Sequence, residues 1–314
     1  MPLMNLSQVR VVDPVLSKIV QGYGKPEFVG NFLFPNVPVR TRAGKIIEFG
    51  REDFALFNVQ RSPGAAMRRR NIAYSSRSYT LMQSAIEGEL PIEHLEEAEG
   101  AELPINLQAE AAEGAMYTIM LNLENKQADI ALNAANYAGT HTVTLAGTDQ
   151  WSDPTSDPRA QILTWKETVR SAIGIYPNTM VMGSKVFNAA AAHPTFRDQI
   201  KYVSSESITP DLLASFFDLS RGVKVGTSLK LNETTGSLED IWGDQLVLAY
   251  VPEEINTRRT PSYGYTYHLE GYPLVEDPYY ERNHRTWYFP VVDEHDPAVT
   301  SLSAGFLALD VSGT

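Results

Sequence analysis

Apolar residues recur at helical spacing most persistently between Pro104 and Tyr137, where Ala112, Met116, Ile119, Leu123, Ile130 and Ala134 mostly keep steps of three or four. Pro104 suits a first turn and Gly139 follows the end, so the pattern predicts one helix of roughly 50 Å. Gly114 inside it costs about 1 kcal/mol relative to alanine and marks a place for a bend or a later start. Asp157 and Pro158 then form an N-cap and first-turn pair for a helix over 159–173, closed by Gly174. TMVMG reads as a short buried strand, and a helix from Ser184 to Ala192 is stopped by His193 and Pro194. Thr209, Pro210 and Asp211 repeat the cap logic before DLLASFF, and VKVGTSLKL and QLVLAYV read as strands. Residues 140–251 therefore alternate as a compact α/β unit, after which SYGYTYHLEGY, RTWYFPVVDE and SAGFLALDVS turn the pattern β-rich. Upstream, VRTRAGKIIEF and NIAYSSRSYTLMQ read as the two arms of a long hairpin around GREDFALFNVQRSPGAAMRRR. A loop of that length usually serves a function or is ordered by a partner.

Charge falls in blocks along this frame. Arg40 to Arg77 holds nine basic residues against Glu48, Glu52 and Asp53, a local +6, whereas Ser78 to Asn125 has ten glutamates and no lysine or arginine. Opposite blocks that abut in sequence are often two solvated faces, and they also suit a chain that lays its basic arm over the acidic flank of another copy. The whole chain carries 26 basic and 38 acidic residues, net −12, which argues against a protein built to neutralise phosphates. Arg68, Arg69 and Arg70 with Phe54, Phe57, Tyr74 and Tyr79 have the composition of a single-strand binder. The charge outside 40–77, however, sums to −18 (−12 less +6). With 43% hydrophobic residues over 314 positions, a sizeable core is available, and a compact monomer of 34.8 kDa would expose roughly 13,000 Å². The charge-free stretch 130–148 contains Asn133, Asn136 and His141 and is too polar to cross a membrane.

Catalytic constellations are missing from the pattern. The zero cysteine count excludes thiolate chemistry, and no P-loop, G-x-S-x-G or H-E-x-x-H motif occurs. Gly22-Tyr23-Gly24 lacks the third glycine of a dinucleotide fingerprint and reads as a turn. The best metal candidate is Asp293-Glu294-His295-Asp296, but neighbours in a strand point to opposite faces and Pro297 follows, so a solvated turn is expected there. His284 beside Glu281 reads as a hairpin tip and His193 as a helix end, while His94, His141 and His268 have no partner that spacing identifies. No catalytic, cofactor-binding or metal-binding residue is assigned, and no cofactor is expected.

The order of these parts, with the runs WSDPTSDPRAQIL, IYPNTMVMGSKVFNAAAAHP, ITPDLLASFF, EDIWGDQLVLAYVPEE, PSYGYTYHLEGYP and SAGFLALDVS, resembles the major capsid proteins of tailed bacteriophages, the Hong Kong ninety-seven fold. The resemblance implies an α+β fold with an N-terminal arm over 1–39, an extended β-hairpin E-loop over 40–83 and a P-domain with a long spine helix over 84–139. It further implies an α/β A-domain over 140–251 and a β-rich return over 252–314 that completes the A- and P-domains. A structural, non-enzymatic chain is then expected, assembling through pentamers and hexamers into an icosahedral shell around phage double-stranded DNA. Its place would be the virion capsid, assembled in the host cytoplasm.

Contacts between copies are expected at Arg61, Arg68, Arg69 and Arg70 of the E-loop and at Glu93, Glu96, Glu97 and Glu99 of the acidic flank. The implied partners are further copies of the chain, a separate scaffolding protein, since arm-like sequence follows Met1 at once, a portal and a decoration protein. DNA would be enclosed without sequence-specific binding, and no membrane is involved. Lys45 is the only lysine of the loop and sits near its base, which speaks against isopeptide cross-links of the kind some relatives form. The alternatives are an encapsulin-like nanocompartment shell, with the same fold, and a soluble hydrolase without a recognisable motif.

Overall fold

The computed structural model describes residues 12–48, 60, 75–100, 106–200, 208–253 and 262–313. In chain order these form α1 (Pro14–Gly22), α2 (Gly30–Leu33), β1 (Asn36–Val39), β2 (Ala43–Glu48), β3 (Ser75–Thr80), β4 (Met82–Pro91), α3 (Ile92–Gly100) and α4 (Leu107–Ala131). There follow β5 (Thr142–Thr144), α5 (Pro158–Ile173), β6 (Thr179–Gly183), α6 (Ser184–Ala192), α7 (Pro194–Ile200), α8 (Pro210–Phe217), β7 (Gly222–Gly226), β8 (Leu229–Leu231) and β9 (Leu238–Asp240). The last strands are β10 (Leu246–Ala249), β11 (Gly264–Leu269), β12 (Leu274–Val275), β13 (Tyr279–Glu281), β14 (Thr286–Val299) and β15 (Gly305–Leu309).

Side-chain caps set the helix starts. Asp13 accepts from the amides of Val15 and Leu16, Asn106 from Ala109, Asp157 from Ala160 and Thr209 from Leu212, each satisfying a first-turn donor that has no partner within its helix. Gly174 ends α5 in the left-handed region, at φ 75°. The long helix α4 is 25 residues, roughly 37 Å, shorter than its apolar spacing implies. Asn106 starts it late, and Asn133 caps a separate short turn over Ala134–Asn136 that breaks the helical register. VKVGTSLKL is two strands, β7 and β8, where one is expected from sequence.

Two sheets organise the molecule. One has the order β5-β15-β10-β6-β7, and its central strands β6 and β10 are buried at every position. The other is built on β14, which pairs with β11, β12 and β13 along one flank and with β4 along the other, while β1 adds in parallel to β11. Two prolines inside β14 fit because neither is asked for an amide donor. Pro290 falls in the gap between β12 and β13. Opposite Pro297, Thr266 turns its N–H away to the carbonyl of Pro35, so the pair is the non-hydrogen-bonded kind and Pro297 faces the flank that β4 has left.

The segment Asp293 to Asp296, expected as a solvated turn, is instead the middle of this strand. Asp293, Glu294 and His295 are at most 2% exposed. Strand alternation places polar partners on both faces, which a reading of local spacing does not supply.

The long helix α4 lies on the β4–β14 pair through Ala112, Ala115, Met116 and Ile119, together with Leu16, Val20, Leu90, Phe289 and Val291. Close approach depends on Gly88, where a Cβ would fall 2.2 Å from the Ala111 carbonyl oxygen, a backbone atom that cannot step aside. Gly88→Ala is therefore expected to cost about 2 kcal/mol by forcing helix and strand apart. The midpoint of urea unfolding checks this, with Gly114→Ala as a comparison, since a Cβ at Gly114 meets nothing within 4 Å.

Candidate assembly surface and the joints behind it

The lower half of α4 carries two polar residues on its buried side. Glu124, 2% exposed, accepts from the amides of Val29 and Gly30, both at 2.9 Å, and from Trp242 Nε1 at 2.7 Å. Burial pushes its carboxyl up, and the three donors pull the other way. One turn on, Gln127 Nε2 donates to Asn31 Oδ1 and Thr266 Oγ1. Helix α2 can sit on this pair because position 30 is glycine, whose Cβ would lie 2.1 Å from Gln127 Oε1. The two residues thus join the segment before β1, the β14 sheet and the turn after β9.

A second joint holds the base of the β2–β3 hairpin. Arg42 grips Glu294 in a forked pair, Nε to Oε2 at 2.7 Å and Nη2 to Oε1 at 2.8 Å. The Glu294 side chain is 3% exposed and the Arg42 side chain 64%, so the anion depends on a cation that water still reaches. The hydrogen bonds and the charge of Glu294 hold the Arg42 guanidinium above its usual range. Tyr79 stacks on Tyr267 at 4.5 Å with ring planes 9° apart, and Gly44 leaves room for the Tyr79 ring. The amide of Thr80 donates to Asp296, whose carboxyl burial pushes up.

On the opposite face of β14, His268 Nε2 donates to Asp293 Oδ1 at 2.7 Å and His295 Nδ1 to Oδ2 at 2.9 Å. Burial acts to raise the Asp293 carboxyl, but the hydrogen bonds and charges of the two imidazoles together outweigh it and hold the group well below the carboxylate range.

The residues expected to meet other copies are distributed unevenly. Arg61, Arg68, Arg69 and Arg70 lie outside the described residues. Glu93, Glu96 and Glu97 are exposed on α3, and Glu99 belongs to the same helix, although its side chain lies outside those described. Glu93 and Glu96 face Arg285 of their own chain, at 3.4 and 3.9 Å, beside the tip of the β13–β14 hairpin. His284 at that tip is exposed and 3.0 Å from Glu281, as a hairpin tip predicts. Arg285 is a local competitor for the acidic flank that sequence spacing did not indicate.

The contact of Ser156 with His193 is structural. Ser156 Oγ lies 3.1 Å from His193 Nε2, but His193 Nδ1 accepts from the Thr195 amide, so the ring proton sits on Nε2. A nitrogen that already carries its proton is no base for Ser156. Among the described residues, no group of three histidine, aspartate or glutamate side chains is placed to hold a metal ion, and no helix is long and apolar enough to cross a membrane.

Comparison with known proteins agrees with this reading. Residues 136–262 match the family model described as phage major capsid protein E. The major capsid protein of Burkholderia phage BcepMu is 36% identical over 275 residues, covering 86% of this chain and 88% of that protein. The crystal structure of a phage-related protein from Bordetella bronchiseptica superposes with a TM-score of 0.83 at 35% identity, covering 96% of this chain and 98% of that one. An encapsulin from Synechococcus elongatus matches at a TM-score of 0.51 and 12% identity, covering 99% and 96%, a likeness of fold alone. Identity above one third across nearly the full length of both chains separates the phage proteins from the encapsulin, and the chain belongs to the family of phage major capsid proteins, structural proteins of α+β fold that are not enzymes.

Proposed function

We propose that the chain assembles through pentamers and hexamers into a closed icosahedral shell around double-stranded phage DNA. The observation that carries this reading is the 36% identity with the major capsid protein of Burkholderia phage BcepMu, over 86% of this chain and 88% of that protein. On this reading 1–39 is the arm, 40–83 the E-loop, 84–139 the P-domain, 140–251 the A-domain and 252–314 the return that completes both. A net charge of −12 suits a wall from which packed DNA slides free without sequence-specific contact. Assembly takes place in the host cytoplasm with a separate scaffolding protein and a portal. Purified protein with its scaffold should give closed particles by electron microscopy. A chain that stays monomeric at high concentration with scaffold present overturns the proposal.

Within the shell, Arg61, Arg68, Arg69 and Arg70 of one copy dock on Glu93, Glu96, Glu97 and Glu99 of the next, where guanidinium forks match carboxylates. Replacing Arg68, Arg69 and Arg70 by glutamate should abolish particles while leaving circular dichroism unchanged, and normal particle yield would sink this contact. The shell is held without covalent links, since Lys45, the one lysine of the hairpin, is fixed on β2 opposite Ser78. Particles boiled in denaturant should run as one band near 34.8 kDa, and a ladder of higher species would refute the point.

A further inference from the structure

The hairpin β8–β9 has two unlike faces. Its register pairs Leu229 with Asp240, Lys230 with Glu239 and Leu231 with Leu238. Alternation puts Leu229, Leu231 and Leu238 on one side, and all three are exposed, by 44, 62 and 66%. On the other side Lys230 Nζ donates to Asn125 Oδ1 on α4 at 3.0 Å, while the exposed Glu239 accepts from Asn232 Nδ2 at 2.7 Å. The turn is rigid, because Asn232 Oδ1 accepts from the amides of Thr234 and Thr235 and its backbone carbonyl accepts from Gly236. Just beyond β9, Trp242 is buried on Glu124 and roots the hairpin in the molecule. Asp240 is no solvating rim for the leucines, since its carboxylate turns to Ser184 Oγ.

A two-stranded hairpin is marginal alone, and one that holds three leucines to water on a braced scaffold is a surface prepared for contact. We propose that the Leu229–Leu231–Leu238 face is an interface between copies of this chain, covered by a neighbouring subunit in the assembled state. A second copy is the occupant because the chain belongs to the phage major capsid proteins, a family whose members assemble into oligomeric shells. This contact is separate from the arginine–glutamate docking and rests only on the self-association proposed above.

Radical footprinting of the wild-type chain before and after assembly, read by mass spectrometry at single residues, tests it. Leu229, Leu231 and Leu238 should be labelled freely in the unassembled chain and fall, in particles or capsomers, to the level of the fully buried Leu246 and Leu248. The double variant Leu231→Thr/Leu238→Thr, which keeps strand propensity, should melt like the wild type and assemble only at a concentration higher by at least about tenfold, the effect of one lost interface anchor. Leucines labelled equally in both states overturn the proposal while leaving shell assembly intact. Protection already present in the unassembled chain, or gained only on adding a different protein, overturns it in favour of another occupant. Absence of any wild-type assembly overturns both this and the proposed function.

Discussion

Glu124→Ala is expected to be the most damaging single substitution on α4, lowering stability by about 4 kcal/mol. The loss is not of packing alone: the amides of Val29 and Gly30 and the Trp242 indole N–H would all be left buried without their acceptor. Each such orphan costs about 1–3 kcal/mol. Glu124→Gln keeps the shape but turns an NH₂ toward one of these donors, so it should recover only part of the loss. Urea unfolding of the unassembled chain reads both, and an alanine variant within 1 kcal/mol of wild type, about the error of such comparisons, would show that the joint contributes little.

Acidification should weaken the fold at Asp293. Its carboxyl is held below its ordinary value in the fold, so the stability it contributes is present above the unfolded value near 3.9 and is lost as pH falls through the folded one. The contribution is on the order of 2–3 kcal/mol and should fade progressively below about pH 5. Asp293→Asn removes an acceptor from either His268 or His295 and should cost on the order of 2 kcal/mol at pH 7. The gap between variant and wild type should narrow on acidification, because protonation does to the wild type what the mutation has already done. A gap that stays constant from pH 7 to pH 3 would mean that Asp293 is not the titrating group.

Where structure depended on neighbours in sequence, it was legible. The Asp157-Pro158 cap with its Gly174 stop, the helix Ser184–Ala192 and the strand TMVMG are read from a few adjacent residues each, and the structure places them at those positions. What depended on distant partners was not. The anchor of Glu294 is Arg42, 252 positions away, so nothing near Asp293–Asp296 signalled that four polar residues belong inside a sheet. SAIEGELP, the rest of β4, gave no strand signal because Glu87, Gly88, Glu89 and Pro91 have poor strand propensity; its pairing with β14 holds that segment extended. The apolar stripe of α4 did contain one clue. Its step from Leu123 to Ile130 skips position 127, where the buried Gln127 donates to Asn31 and Thr266. The arginines at 61 and 68–70 and the glutamates of α3 were proposed from charge blocks alone, and charge blocks do not reveal a competitor such as Arg285.

The two sheets take their strands from widely separated stretches of chain: β1 pairs with β11, and β15 lies between β5 and β10. During synthesis, then, residues 142–249 can bring together β10, β6 and β7, but the gap beside β10 stays open until 305–309 leave the ribosome. A translation product interrupted before that point keeps an unsatisfied sheet edge in the middle of its largest core and cannot adopt the finished surface. Interleaving of this kind makes the last strand a condition for closing the core, so a chain that ends before 305–309 should be more readily cut by protease than the full-length one.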